Sequence, residues 1–347
     1  CFFVQANCMS ASVSGPEIDR LMRTPHWRQK SDLERLAADL KRTYPDDAAR
    51  FRAAFAWTAQ HIRYDLNLLN DGKSYPGSVL VANAIRRRAA LCEGYVAVLD
   101  SLSRLMDIPT FKIPGYTRWQ GKLQAEPHLW VAVKLGGQWH LADPTWASGS
   151  IINGRFRAAY DTTWFLTPPE TMISSHMPYD PLWQLLSRPM SHEGFIRNNG
   201  SRLKGEWNTT DSIAYFLQSN LLQQYEAELR RIRQGFSHQA LQSRITFLEQ
   251  AIHVQKHNQL VQIMQQSNAL FNAAVQAYNQ AVDEFNSLKP RTQVLGLLLR
   301  AEQLLGSARA MLPQDQISPA LSNEFKMMNR QMAQLEERLS EARTNWY

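Results

Sequence analysis

The chain has 347 residues, 44% hydrophobic and 20% charged, with a formal charge of +7 and a pI of about 9.4. That length fills one large core or two ordinary ones, and no run of about eighteen apolar residues is present to span a membrane. The positive balance suits anionic polymers or membrane surfaces, but no nucleic-acid-binding motif accompanies it, so nucleic acid is not an expected partner.

The first residues, Cys1-Phe2-Phe3-Val4-Gln5-Ala6-Asn7-Cys8, are apolar and then turn small and polar. They read as the remnant of a secretory signal with a small residue near cleavage, or as a lipoprotein beginning at Cys1. Both readings point to export, and residues 1–20 are set apart on that ground. The three cysteines, Cys1, Cys8 and Cys92, form no disulfide framework and no CxxC metal site. No histidine spacing argues for a metal, and no cofactor is expected.

Residues 31–43 and 46–64 read as helices, with Ser31 and Asp46 as N-caps. In the second helix Phe51, Phe55, Thr58 and Ile62 share a face. Residues 78–90 carry Val79, Ala82, Ile85 and Ala89 at similar spacing. A helix then opens at Cys92, with Val96, Leu99, Leu102, Leu105 and Met106 inward. Pro109 stops it, because proline disfavours helical geometry in the residue before it. Next the period becomes two, and Thr110–Tyr116, His128–Leu135 and Gln138–Asp143 read as strands, with a Gly136-Gly137 hairpin turn. Helices followed by an antiparallel sheet make an α+β domain.

A division is expected near residue 205, giving domains 21–204 and 205–347. Beyond it Ile213, Phe216, Leu217, Leu221, Leu229 and Ile232 outline one amphipathic helix. Residues 238–288 and 291–312 outline two more, with reversals at Gly235, Pro290 and Pro313. Leu321, Phe325, Met328, Met332, Leu335, Leu339 and Ala342 follow a heptad rhythm. The tail therefore reads as an antiparallel helical bundle or coiled coil, whose seam is filled from within or by a protein partner.

Three short motifs carry the chemistry. Cys92 opens its helix in Leu91-Cys92-Glu93-Gly94-Tyr95, where free N–H groups and the helix dipole favour a thiolate. Gly94 would leave nearby backbone uncovered for a substrate, and Arg86-Arg87-Arg88 adds positive charge. His128 begins a strand and can serve as base and then acid. Asp143 ends the next strand in Asp143-Pro144-Thr145-Trp146, placed to orient His128. Each residue alone has a plain reading: a buried thiol, a structural histidine, a turn aspartate. Their combination, in these slots and this order, argues for acyl transfer through a thioester. The Cys92 N–H is one oxyanion donor, and Tyr64 and Asn83 are candidates for a second. Trp130, Tyr95 and Trp146 are candidate substrate-binding residues. Trp139 joins them as a further wall candidate, His140 reads as structural, and Asn208-Thr209-Thr210 fits the glycosylation pattern.

Over roughly residues 45–190 this combination resembles the transglutaminase-like superfamily of papain-like cysteine enzymes. Phe55–Asp65 is similar to its leading helix, and Ile113-Pro114-Gly115-Tyr116 to its first sheet strand. Phe165-Leu166-Thr167-Pro168-Pro169-Glu170, with His176-Met177-Pro178-Tyr179-Asp180 and Trp183-Gln184-Leu185-Leu186, resembles an extension of kyphoscoliosis-peptidase-like relatives. The resemblance implies Cys92 as nucleophile, His128 as base and Asp143 as orienting acid. It implies a protein or peptide substrate, with protease, deamidase and transglutaminase outcomes open. No calcium-site pattern is recognised, so hydrolysis is the expected outcome. The alternative is an exported binding or scaffold protein, in which the helical tail docks a partner and the front domain is a recognition module.

Overall fold

The computed structural model describes residues 30–72, 75–234, 236–313 and 321–346. The Cys1, Cys8 and Gly235 readings lie outside these residues. The chain divides into two compact units, residues 1–246 and 247–347.

The first unit begins with α1 (Lys30–Thr43), which buries Leu33, Leu36 and Leu40 and already includes Ser31. α2 (Asp47–His61) follows, capped by the Asp46 side chain, which accepts from the Ala49 N–H at 2.8 Å. Its expected face is buried. It ends three residues earlier than the period suggests, because the chain straightens into β1 (Arg63–Tyr64). α3 (Leu66–Asn70), capped by Asp65, and α4 (Gly77–Arg87) come next. α4 also stops short, where Arg88 turns left-handed at φ 49°, and β2 (Ala89–Ala90) runs parallel to β1. α5 (Cys92–Leu105) follows at once and buries Val96, Leu99 and Leu102; Leu105 faces outward at 39% exposure.

Two of the sheet strands are longer than expected, and the third stops one residue short, at Ala142, where Asp143 begins to cap the next helix. β3 (Thr110–Trp119) and β4 (Lys122–Leu135) meet at Gln120-Gly121, with φ of 48° and 78°. β4 and β5 (Gln138–Ala142) meet at Gly136-Gly137, with φ of 56° and 83°. Positive φ at both central residues matches the twist of a tight hairpin. After β5 come α6 (Pro144–Ser148), the hairpin β6 (Gly149–Ile152) and β7 (Arg155–Ala158), α7 (Pro169–Met172), and β8 (His176–Pro178). β8 completes the sheet order β5-β4-β3-β8. α8 (His192–Ile196), α9 (Thr209–Gln218) and α10 (Leu221–Ile232) close the series.

Both sheet faces are covered, which is why β4 is apolar on alternate residues of either side. Val131, Val133 and Leu135 pack with residues of α1, α2 and α5. Trp130 and Ala132 pack with Ile113, Leu141, Trp183, Ile213 and Phe216. Ile213 and Phe216 belong to α9, so the first unit extends past residue 205. The single helix expected over 213–232 is instead α9 and α10, because Asn220 and Gln223 form a capping box that restarts the chain. Two buried ion pairs, Arg231 with Asp180 and Arg244 with Glu228, fix this later part of the unit.

The second unit takes α11 (Gln239–Asn286) from residue 247 onward, α12 (Arg291–Met311) and α13 (Ser322–Asn345). The heptad residues Met328, Met332, Leu335, Leu339 and Ala342 are buried with Val294, Leu298, Ala301 and Leu305 of α12 and Ala274 and Ala281 of α11. The seam is therefore filled from within the chain. Among the described residues no helix is long and apolar enough to cross a membrane.

Candidate active site

The site is assembled from the start of α5, the interior of β4 and the turn after β5, held together by the sheet and the short β1–β2 ladder. The β1–β2 ladder, closed by Arg63 N–H to Arg88 O and Asp65 N–H to Ala90 O, both 3.0 Å, sets Tyr64 opposite Ala90. Two residues later Cys92 opens α5. Leu91 offers no side-chain cap, so the first N–H groups of α5 have no capping side chain. Cys92 is a free, partly exposed thiol. Gly94 is needed for packing rather than access: a Cβ there would lie 2.4 Å from the Ala90 Cβ. Of the expected basic triplet, Arg87 is tied to Asp65 at 2.8 Å and Arg86 to Asn83 at 2.7 Å.

His128 lies in β4 opposite Gly115 of β3, and Asp143 follows β5 as the N-cap of α6. Asp143 is wholly buried, and its carboxylate is fully occupied. Oδ1 accepts from the N–H groups of Thr145 at 2.8 Å and Trp146 at 3.2 Å. Oδ2 accepts from His128 Nε2 at 2.7 Å and from His176 Nε2 at 3.1 Å. After Asp143, Cys92 is the next group acting on the His128 imidazole, and Nδ1 is the ring nitrogen that Asp143 leaves free. The structure thus brings Cys92, His128 and Asp143 together, in that order.

The electrostatics follow from burial and pairing. Burial acts most strongly on His128 and opposes its charge. The Asp143 charge and hydrogen bond, aided by Cys92, outweigh it and push the imidazole up to about 10. Burial likewise opposes the Asp143 charge, but His128 and His176 together hold the carboxyl well below its usual range. For His176 burial prevails over Asp143, and the ring is pushed down to about 4. Tyr64 is pushed far up, first by burial and then by Cys92, Glu126, Asp143 and Glu93. Its phenol stays protonated and remains an O–H donor.

Beside His128 opens a cleft of about 710 Å³. Tyr64, Thr145, Trp119, Trp146 and Trp164 line it with His128, and its acidic lining residues are Glu126 and Asp161. The indoles make a continuous wall: Trp146 meets Trp119 at 5.4 Å and Trp164 at 4.8 Å, edge to face. The hairpins β3–β4 and β6–β7 contribute Trp119 and Ile151 to the rim, 50% and 49% exposed.

Of the residues expected to bind substrate, Trp146 lines this cleft. Trp130 and Tyr95 lie in the core instead, 1% and 0% exposed. Ile113 and Trp183 surround Trp130, and the Tyr95 hydroxyl donates to the Ile62 carbonyl at 2.5 Å. Trp139 packs on Trp183, away from the cleft lining. Asn83 is also absent from that lining, with its Oδ1 engaged by Arg86. The Asn208 amide caps α9 and donates to Asp211.

His176 is the residue that sequence reasoning missed. It sits on a three-residue strand with no readable period, brought in by pairing of Thr117 with His176. The Asp143 Oδ2 and the two Nε2 atoms lie within 4.8 Å of one another, a donor set of the kind divalent metals take. Here the two hydrogen bonds to the shared oxygen account for the arrangement.

Residues 34–144 match the family model of the transglutaminase-like superfamily. Kyphoscoliosis peptidase of Homo sapiens is 32% identical over 177 residues, covering 49% of this chain and 26% of that protein. Its counterpart in Mus musculus is 31% identical over 174 residues, with coverage of 48% and 26%. The chain spans about a quarter of the length of these curated relatives. A solved structure described as a TGase is 19% identical, with a TM-score of 0.28 over 44% of this chain and 42% of that one.

Proposed function

We propose, from the premise that residues 34–144 are a transglutaminase-like domain, that this chain catalyses acyl transfer on peptide or isopeptide amides through a thioester on Cys92. The observation that carries the reading is the convergence of Cys92, His128 and Asp143, with His128 held at 2.7 Å by a carboxylate that has no exposure to solvent. A charge buried this deeply is kept only where it is paired and hydrogen-bonded, and four donors hold it in one orientation toward His128.

In the proposed cycle the Cys92 thiolate attacks the amide carbon, with its proton held on His128. The carbonyl oxygen becomes an oxyanion, received by the Cys92 N–H and the Tyr64 hydroxyl. The C–N bond breaks, the amine takes the His128 proton, and a thioester remains. Water then gives one proton to His128 and adds to the thioester carbon; the C–S bond breaks, releasing a carboxylic acid and restoring the Cys92 thiolate beside the protonated His128. An amine in place of water gives a new amide, and the same residues serve either acceptor. Asp143 stays ionised throughout and stabilises the imidazolium. The kyphoscoliosis peptidases carry a peptidase name, which agrees with the hydrolytic branch.

The test is alkylation of Cys92 with a neutral reagent, followed across pH by mass spectrometry of its peptide in the intact chain. Fast labelling that persists well below the ordinary thiol range, and that His128→Ala slows on the order of 10²-fold, is the expected result. Labelling with an ordinary thiol profile, indifferent to His128, would overturn the reading.

A further inference from the structure

We infer that His176 is a positioning residue. By sharing Asp143 Oδ2 with His128, it fixes the carboxylate and moderates the proton affinity of the His128 imidazole. The inference deepens the acyl-transfer reading and rests on His128 being its base.

The geometry leaves His176 little freedom. Ser175 Oγ lies 2.8 Å from its Nδ1, and Nε2 lies 3.1 Å from the carboxylate. A carboxylate accepts only, so Nε2 carries the proton and Nδ1 accepts from the serine hydroxyl. The ring is caged by Trp146 at 4.3 Å, Trp164 at 5.1 Å and Trp130 at 5.2 Å. The backbone is set by β8, itself paired to β3. The titratable groups acting on His176 are Asp143, from the cap of α6, and His128, from β4. Those acting on His128 are Asp143 and Cys92.

Two donors on one oxygen divide its negative charge. Each bond is weaker than it would be alone. The His176 N–H also turns its positive end toward the site of the imidazolium. Both effects lower the proton affinity of His128 relative to an unshared His–Asp pair. Both favour release of the proton to a leaving amine. Burial keeps His176 neutral, so it supplies a dipole there and no competing charge.

A competing account makes His176 mere filling between three indoles. The two accounts rank substitutions oppositely. His176→Leu fills the space and removes the donor. His176→Gln keeps an N–H donor near the Nε2 position. In the intact, folded chain, the ring nitrogens of His128 are titrated by NMR. His176→Leu is expected to raise the His128 titration by about one pH unit, the equivalent of one charged hydrogen bond. His176→Gln is expected to return it close to wild type. Equal titration in all three proteins, or Gln behaving as Leu, overturns the inference. Should His176→Leu fail to fold, Ser175→Ala replaces it. That change releases Nδ1 and is expected to move His128 upward by a smaller amount; no movement overturns the inference. Alkylation of Cys92 in the wild-type sample reports separately on the acyl-transfer reading, because the His128 titration needs no turnover.

Discussion

The bundle of α11, α12 and α13 and the unit that holds Asp143 bury very different matter. In the bundle the interior is Val294, Leu298, Ala301, Leu305, Met332 and Leu339, and the buried Ser267 hydroxyl is satisfied by the Ala308 carbonyl. In the other unit the interior includes an ionised carboxylate hydrogen-bonded to two imidazoles, with three indoles packed around them. Apolar burial is cheap and tolerant of substitution of like for like. Charge burial is neither, and it survives only where every lone pair has a donor. The difference marks where folding and chemistry compete for the same residues.

The sharpest way to break this comparison is Asp143→Ala. It strands two backbone N–H groups and two imidazole N–H groups, so a stability loss of about 3–5 kcal/mol is expected in urea denaturation. Any turnover should fall on the order of 10⁴-fold. A variant as stable as wild type would mean that the carboxylate is no keystone. Leu298→Ala tests the other side. Leu298 is 1% exposed, and its truncation is expected to cost about 2–5 kcal/mol, read by hydrogen exchange along α12. The alkylation rate of Cys92 should not change.

Acid sharpens the contrast further. His192 is buried between the Tyr116 hydroxyl and the Tyr179 carbonyl, and burial pushes it down to about 4 from an ordinary 6.5. The unfolded chain then binds a proton that the folded chain refuses. The His192 contribution to stability is whole above 6.5 and is lost as pH falls toward 4, by on the order of 3 kcal/mol. His192→Gln should remove that share of the acid loss and leave the one His176 contributes, while protection factors along α12 stay level over the same window.

Much of this was legible in the residues. The spacing of Leu33, Leu36 and Leu40, the period change at Thr110 and the Gly136-Gly137 turn all encode local geometry, and local geometry leaves a periodic trace. Cys92 and Asp143 occupy element ends, as their neighbours in sequence suggest, but His128 does not begin a strand: β4 starts at Lys122 and carries it in its interior, because the β3–β4 hairpin pairs further than the apolar run alone indicates. His176 left no such trace, because its place is set by strand pairing across about sixty residues of chain. Trp130 and Tyr95 misled because an aromatic near a site and an aromatic in a core look alike in sequence. The boundary near residue 205 misled because composition changes there, while Ile213 and Phe216 still reach back to Trp183.

Asp143 does two jobs with one side chain, capping α6 through Oδ1 and holding imidazoles through Oδ2. Asparagine and serine are equally good caps, and asparagine lies a single-base change away. A lineage making that exchange would keep α6, its hairpins and its indole wall, yet have no anion to steady His128. In its descendants His128 would lose its charged partner, and its titration would fall back toward the ordinary imidazole range. One residue thus ties the start of α6 to the electrostatics of His128, and an exchange there can spare the first while resetting the second.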